Sequence, residues 1–158
     1  MADRLSHLSP DGRAAMVDVA DKPETRREAT ASAVVRMLPE TFEKVREGQS
    51  KKGDLFRTAE LAGIMGAKRT ADLVPLCHPL PLSSVEVRVR PDPHDLCLRV
   101  EATARTVGRT GVEMEAMTAA SVAALTLYDM IKAVDRSAQV DALRLEAKSG
   151  GKSGEWKR

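Results

Sequence analysis

Asp129 and Lys132 stand three residues apart in the run GRTGVEMEAMTAASVAALTLYDMIKAVD, which spans 108–135. If that run is helical, the carboxylate and the ammonium are neighbours on one face. A lysine in such a place can give or take a proton once its surroundings shift its pKa, with the acid orienting it. Glu113 and Glu115 mark the other end of the run. Basic islands stand elsewhere, at Arg26-Arg27, Lys51-Lys52, Lys68-Arg69 and between Lys148 and Lys152. Clustered cations in a chain of formal charge +2 suit local sites for a small polyanion, not a long nucleic-acid stripe. Spacing alone leaves blander readings open. The Asp129–Lys132 pair also fits a solvated ion pair, and acids at a helix start complement its macrodipole.

Leu76, Cys77 and His78 lie among Pro75, Pro79 and Pro81, which hold the backbone stiff and extended. A thiol beside an imidazole suggests a nucleophile, yet neighbours in an extended segment point to opposite sides. A structural histidine is the plainer reading. Cys77, His78, His94 and Cys97 lack the Cys-x-x-Cys spacing of a zinc knuckle, so no metal is expected. Gly151-Lys152-Ser153 looks like the end of a P-loop. Glu146 stands where its first glycine belongs, and no helix follows, which excludes it. Lys148, Lys152 and the glycines then read as either an anion-contacting segment or a solubilising tail.

The elements that must carry these groups follow in order. Ala29, Ala31, Ala33, Val35 and Met37 alternate with polar residues, predicting a half-buried strand over 27–37. Pro39 opens a short helix to Arg46, closed by Gly48. A tight basic turn, Lys51 to Asp54, precedes a helix from Leu55 to about Leu73, with Asp54 as its N-cap. Gly63 and Gly66 suggest close backbone contact on that helix. Val85, Val87 and Val89 alternate with Glu86, Arg88 and Arg90. After a turn at 91–95, Leu96, Leu98, Val100 and Ala102 return as the second arm of a hairpin. The alanine-rich central helix comes next, with Thr110 and Glu113 at capping-box spacing. A last strand lies near Val140 to Ala147. This order predicts an α+β domain of ferredoxin-like type, a mainly antiparallel sheet with helices packed on it. Residues 1–24 read as an extended or mobile arm, 25–148 as the single α+β domain, and 149–158 as a flexible Gly/Lys-rich tail.

A chain of 158 residues can bury a core as one domain. With only four aromatics, a base-stacking platform for single-stranded nucleic acid is not expected. A core of small residues gains by burying further surface in an oligomer. Two cysteines make no secreted disulfide framework. Neither a signal-peptide core nor a membrane-length apolar run is present, so a cytoplasmic protein with no membrane partner is expected.

Taken together, LVPLCHPLPLSSVEV, GRTGVEMEAMTAASVAALTLYDMIKAVD and LEAKSGGKSG resemble the signatures of one family. It is the cyclic pyranopterin monophosphate synthase family, molybdenum cofactor biosynthesis protein C. MVDVADKPETRREA, KKGDLF and AELAGIMGAKRT match as well, so the resemblance runs from about residue 5 to residue 154. It implies a lyase that rearranges cyclic dihydro-GTP to cyclic pyranopterin monophosphate, releasing pyrophosphate and using no cofactor. It also implies a homohexamer, a trimer of dimers, with sites shared between subunits. By motif, the catalytic residues are Asp129, Lys132 and Lys52. Substrate contacts fall to Leu76, Cys77, His78, Met114 and Glu115, with Glu113, Arg27, Lys68 and Lys148 completing the pocket. Gly66 departs from the usual alanine, a change of helix packing. In such a pocket a lysine desolvated beside other cations has a lowered pKa. The rival reading is a non-catalytic oligomeric module that binds nucleotide or phosphate.

Overall fold

The computed structural model describes His7, residues 11–50 and residues 53–158. Lys51 and the candidate catalytic residue Lys52 lie outside the described residues. The elements are β1 (Thr25–Arg36), α1 (Pro39–Val45), β2 (Gln49–Ser50), β3 (Gly53–Asp54), α2 (Leu55–Ala67) and α3 (Thr70–Leu73). They continue with β4 (Leu82–Asp92), β5 (Cys97–Gly108), α4 (Glu113–Ile131), β6 (Gln139–Ser149) and β7 (Trp156–Lys157). The main sheet has the order β4-β5-β1-β6-β7 and is antiparallel throughout. The elements β1, α2, β4, β5, α4 and β6 thus give the expected βαββαβ, ferredoxin-like arrangement. Among the described residues no helix is long and apolar enough to cross a membrane.

Alternation in β1 and β5 sets the core. Ala29, Ala31, Ala33 and Val35 pair with Ala104, Ala102, Val100 and Leu98, and all eight are buried. A sheet face lined mostly with alanine lets a helix approach closely. The helix that does so is α4, whose Ala116, Ala119, Ala120, Ala123 and Ala124 are fully buried. Phe42, Leu55, Leu127 and Ile131 supply the bulk that alanine lacks. The opposite face of the sheet is polar, with Arg105 bonded to Glu28 and Glu86.

The second helix, α2, runs against α4 through its glycines. A Cβ on Gly63 would lie 2.8 Å from the Ala119 carbonyl oxygen, and one on Gly66 would lie 2.7 Å from Val122 Cγ2. Asp54 caps α2 as expected, accepting the Arg57 N–H at 3.0 Å.

Two boundaries differ from expectation. The helix expected to reach Leu73 stops at Ala67, where Thr70 Oγ1 donates to the Ala67 carbonyl at 2.9 Å and a separate short turn, α3, follows. Thr110 does not cap α4. The N-cap is Val112, with no side-chain bond, and the Glu113 carboxylate is engaged elsewhere. At the chain's end, Gly150, Gly151 and Gly154 all adopt positive φ. This turns the Gly/Lys-rich segment back so that β7 pairs with β6, Trp156 opposite Lys148.

Candidate active site

The start of β1, the end of β5, the N-terminus of α4 and the end of β6 meet at one end of the sheet around a cleft of about 760 Å³. Five cations line it: Lys22, Arg27, Arg109, Lys148 and Lys152. The Glu113 carboxylate, the His78 ring and the hydroxyls of Thr25, Thr110, Ser149 and Ser153 belong to residues of the same lining, while the Glu28 carboxylate accepts from Arg105. The β6 strand delivers Lys148 to the mouth of α4, where its Nζ donates to Glu113 Oε1 at 3.0 Å and to Ser153 Oγ at 3.2 Å. This long-range bond replaces the expected capping box.

Among the described residues, Arg27 is held by backbone carbonyls. Its guanidinium donates to the carbonyls of Gly108 at 3.4 Å, Arg109 at 3.4 Å and Gly150 at 3.5 Å. A Cβ on Gly151 would collide with Arg27 Nη1, so glycine there is a condition of the guanidinium's position. The arginine clips the strand ends together while its charge faces the cleft.

A smaller cavity of about 120 Å³ adjoins and contains Lys68, Glu115 and Leu80. His78 lines both cavities and so joins them. Glu115 is only 4% exposed. Burial pushes its carboxyl pKa up, with a further push from Glu113 and an opposing pull from its own backbone N–H. Burial also raises the Cys77 thiol, and the charge of Glu115 adds to the effect. That favours the neutral thiol and counts against a nucleophilic Cys77. Leu76, Cys77 and Met114 line neither cavity, although Cys77 precedes His78 and Met114 stands between Glu113 and Glu115.

Cys77 and His78 lie far along the chain's strands from His94 and Cys97. His94 and Cys97 lie at the β4–β5 turn, about 35 Å of strand away from His78. There Asp92, Asp95 and Cys97 cluster, but Arg99 bonds both aspartates and holds Asp92 below the usual carboxylate range.

Asp129 and Lys132 sit at the opposite end of α4. Lys132 Nζ lies 2.6 Å from Asp129 Oδ1, and the two side chains are 52% and 58% exposed. The Asp129 hydrogen bond raises the Lys132 pKa, followed by Asp129's charge. A lowered lysine pKa is the expectation for a lysine desolvated beside other cations; in the single chain Lys132 is half exposed and its neighbour is the Asp129 carboxylate, so the shift is upward. The axial rise of α4 puts Lys132 about 28 Å from Glu113. One chain therefore gathers Arg27, His78, Glu113, Glu115, Lys68 and Lys148 at one end and holds Asp129 and Lys132 at the other.

Arg109 and Lys22 were not singled out by their sequence setting. Arg109 stands in a Gly-Arg-Thr-Gly turn, and only its place between the last residue of β5 and the mouth of α4 marks it.

Among the described residues, the end of this ferredoxin-like sheet gathers five cations, a charge pattern with the chemistry to hold a small anion. The MoaC family model matches residues 16–151, and the chain belongs to the MoaC family. It is 59% identical over 154 residues to the cyclic pyranopterin monophosphate synthase of Thermomicrobium roseum, covering 98% of this chain and 93% of that protein. It is 56% identical over 152 residues to the enzyme of the same name from Nostoc sp., covering 96% and 90%. The Brucella ovis enzyme of that name is 57% identical over 156 residues, covering 99% and 94%.

Proposed function

We propose that the protein is a cyclic pyranopterin monophosphate synthase of molybdenum cofactor biosynthesis. It converts cyclic dihydro-GTP to cyclic pyranopterin monophosphate with release of pyrophosphate. The observation that carries this reading is the five-cation cleft joined through His78 to a buried carboxylate pocket. A triphosphate needs several cations, and the ring and sugar need buried hydrogen-bonding groups beside it.

In this reading Arg27, Lys148 and Lys68 hold the triphosphate. His78, Glu113 and Glu115 hold the ring edge and the sugar hydroxyls; Leu76, Cys77 and Met114, which line neither cavity of the single chain, are contacts implied by the family motifs alone. A substrate hydroxyl attacks the α-phosphorus, the bond to the bridging oxygen breaks, and pyrophosphate departs. The hydroxyl proton passes to a base. Charge held in place by the protein stabilises this step. Lys132, kept as an ammonium by Asp129, suits the role of general acid or of countercharge to the leaving group. Lys52 then falls to the base.

The length of α4 bears on assembly. Because Lys132 cannot reach the cleft of its own chain, Asp129 and Lys132 come from a neighbouring subunit. Exposed apolar side chains on the helical layer support burial against a second copy: Leu61, Met65 and Leu125 are each 59% exposed. The hexamer of paired chains suits both features.

The test feeds cyclic dihydro-GTP to the purified protein and follows pyrophosphate and cyclic product by mass spectrometry. Turnover is expected in the wild type and none in a folded Lys132→Ala variant. Substrate binding without turnover would favour the non-catalytic module instead.

A further inference from the structure

The turn after β5 places Arg109 where three segments meet. Its Nη1 donates to the Ala20 carbonyl at 2.6 Å, and its Nε lies 3.9 Å from Glu24 Oε1. Its own carbonyl receives Arg27 Nη2. The Arg109 Nη2 group makes no hydrogen bond among the described residues, and the side chain is 44% exposed on the cleft wall. Val17, Val19, Lys22 and Pro23 of the N-terminal arm line the same wall. Thr25, paired with Gly108 next to Arg109, also lines the cleft. Its Oγ1 is buried and has no hydrogen-bond partner among the described residues.

These facts bear on one another. A buried hydroxyl left unbonded is unfavourable, and this one belongs to the residue paired with Gly108, the chain neighbour of Arg109, so a ligand oxygen reaching that part of the cleft wall would satisfy it. An arginine with one N–H committed to a carbonyl keeps donors in a planar fork for a phosphate. The tie to Ala20 is the hydrogen bond from the domain that reaches the arm directly over the cleft.

We propose that Arg109 and Thr25 form a polyphosphate subsite at the arm end of the cleft. Arg109 bridges the Ala20 carbonyl and the phosphate oxygens, so a bound polyphosphate draws residues 17–24 down over itself. Glu24 opposes this, because its carboxylate competes with the phosphate for the same guanidinium. The subsite rests on the polyphosphate-enzyme reading above, and the test separates the two.

Inorganic tripolyphosphate serves as the probe on the full chain. Its affinity is measured by calorimetry, and the arm is followed by the rate of elastase cleavage after Val17, Val19 or Ala20. In the wild type, saturating tripolyphosphate is expected to slow that cleavage about tenfold through arm closure. Arg109→Ala is expected to weaken binding roughly 10- to 100-fold and to abolish the protection. Arg109→Lys should regain part of the affinity but not the protection, because one ammonium does not hold a carbonyl and a phosphate in a planar fork. Glu24→Gln should tighten binding a few-fold. If Arg109→Ala does not fold, Thr25→Val, which keeps shape and removes the hydroxyl, is expected to weaken binding by roughly tenfold and decides in the same way. Affinity and protection unchanged in the Arg109 or Thr25 variants overturn the proposal. If Lys148→Ala weakens binding while those variants do not, only the arm subsite fails. If Lys148→Ala is also without effect, the polyphosphate reading of the cleft fails with it.

Discussion

Mixing two inactive variants tests the shared site most directly. Lys148→Ala removes a cation from the cleft at the N-terminus of α4, and Lys132→Ala removes the ammonium at its C-terminus. The two positions are separated by the length of that helix, about 28 Å from Glu113 to Lys132, far beyond the reach of any lysine. Each variant alone is expected to be nearly inactive. In a hetero-oligomer, however, a cleft from a Lys132→Ala chain can receive the intact tip of a Lys148→Ala chain. With equal amounts of both and random assembly, about a quarter of all sites acquire two intact halves. Pyrophosphate release should then recover to about a quarter of the wild-type rate after the chains are exchanged, by mild urea treatment and refolding together or by co-expression. The recovery should depend on the mixing ratio and peak at equality. Mass spectrometry of the intact assembly confirms that mixed species formed. Activity that stays at the level of the separate variants, despite mixed assemblies, would falsify the two-chain site.

Three further outcomes follow from the geometry. Asp129 raises the pKa of Lys132, so the ammonium persists to higher pH; Asp129→Asn should move the alkaline limb of the kcat/KM profile to lower pH, and an unmoved limb counts against Lys132 as the acid. Burial raises the Glu115 pKa, so the folded chain holds that proton more tightly than the unfolded chain and stability falls as pH rises from the ordinary carboxylate range through the raised value. Glu115→Gln should therefore stabilise the chain at neutral pH and matter little in acid, as urea midpoints at the two pH values would show; equal effects at both contradict the burial argument. Gly66→Ala gains about 1 kcal/mol in helix propensity but forces a Cβ against Val122 at an overpacking cost of about 1–3 kcal/mol. The net expectation is a loss of about 1 kcal/mol that Val122→Ala relieves in a double-mutant cycle, whereas independent, additive effects would show that the contact is not tight.

The strands were legible because alternation is local. The valines of β4 and the leucines of β5 declare their buried face without reference to any partner. The same holds for Asp54, whose bond to the Arg57 N–H spans three residues. Where the reading missed, the deciding partner was remote or unannounced. The Thr110–Glu113 spacing fits a capping box, but Lys148, 35 residues on, takes the carboxylate. Nothing in Lys68-Arg69-Thr70 resembles a helix stop, yet the Thr70 hydroxyl competes for the Ala67 carbonyl and ends the ladder. Arg109 was not singled out, because its tie to Ala20 crosses 89 positions. For the candidate site, the family motifs named Arg27, His78, Glu113 and Lys148 of the cleft and Lys68 and Glu115 of the smaller cavity, but not Lys22, Arg109 or Thr25, which come from the arm, a turn and the start of a strand. Nor did local charge alone give the direction of the Lys132 shift, which depends on which neighbour lies at 2.6 Å.

The alanine-lined contact between α4 and the sheet also makes this helix a ruler. Inserting or deleting one residue within it turns everything beyond by about 100° and displaces it by about 1.5 Å. A loop such as the one near His94 can absorb a length change at the surface, where His94 is 95% exposed. In α4 the same change would send the distal acid and ammonium to the wrong azimuth, and in the proposed shared site each misaimed tip would spoil a neighbour's chemistry as well as its own register. Length variation among functioning relatives is thus expected in the hairpin turns and at the chain ends, with the span from Glu113 to Lys132 held constant.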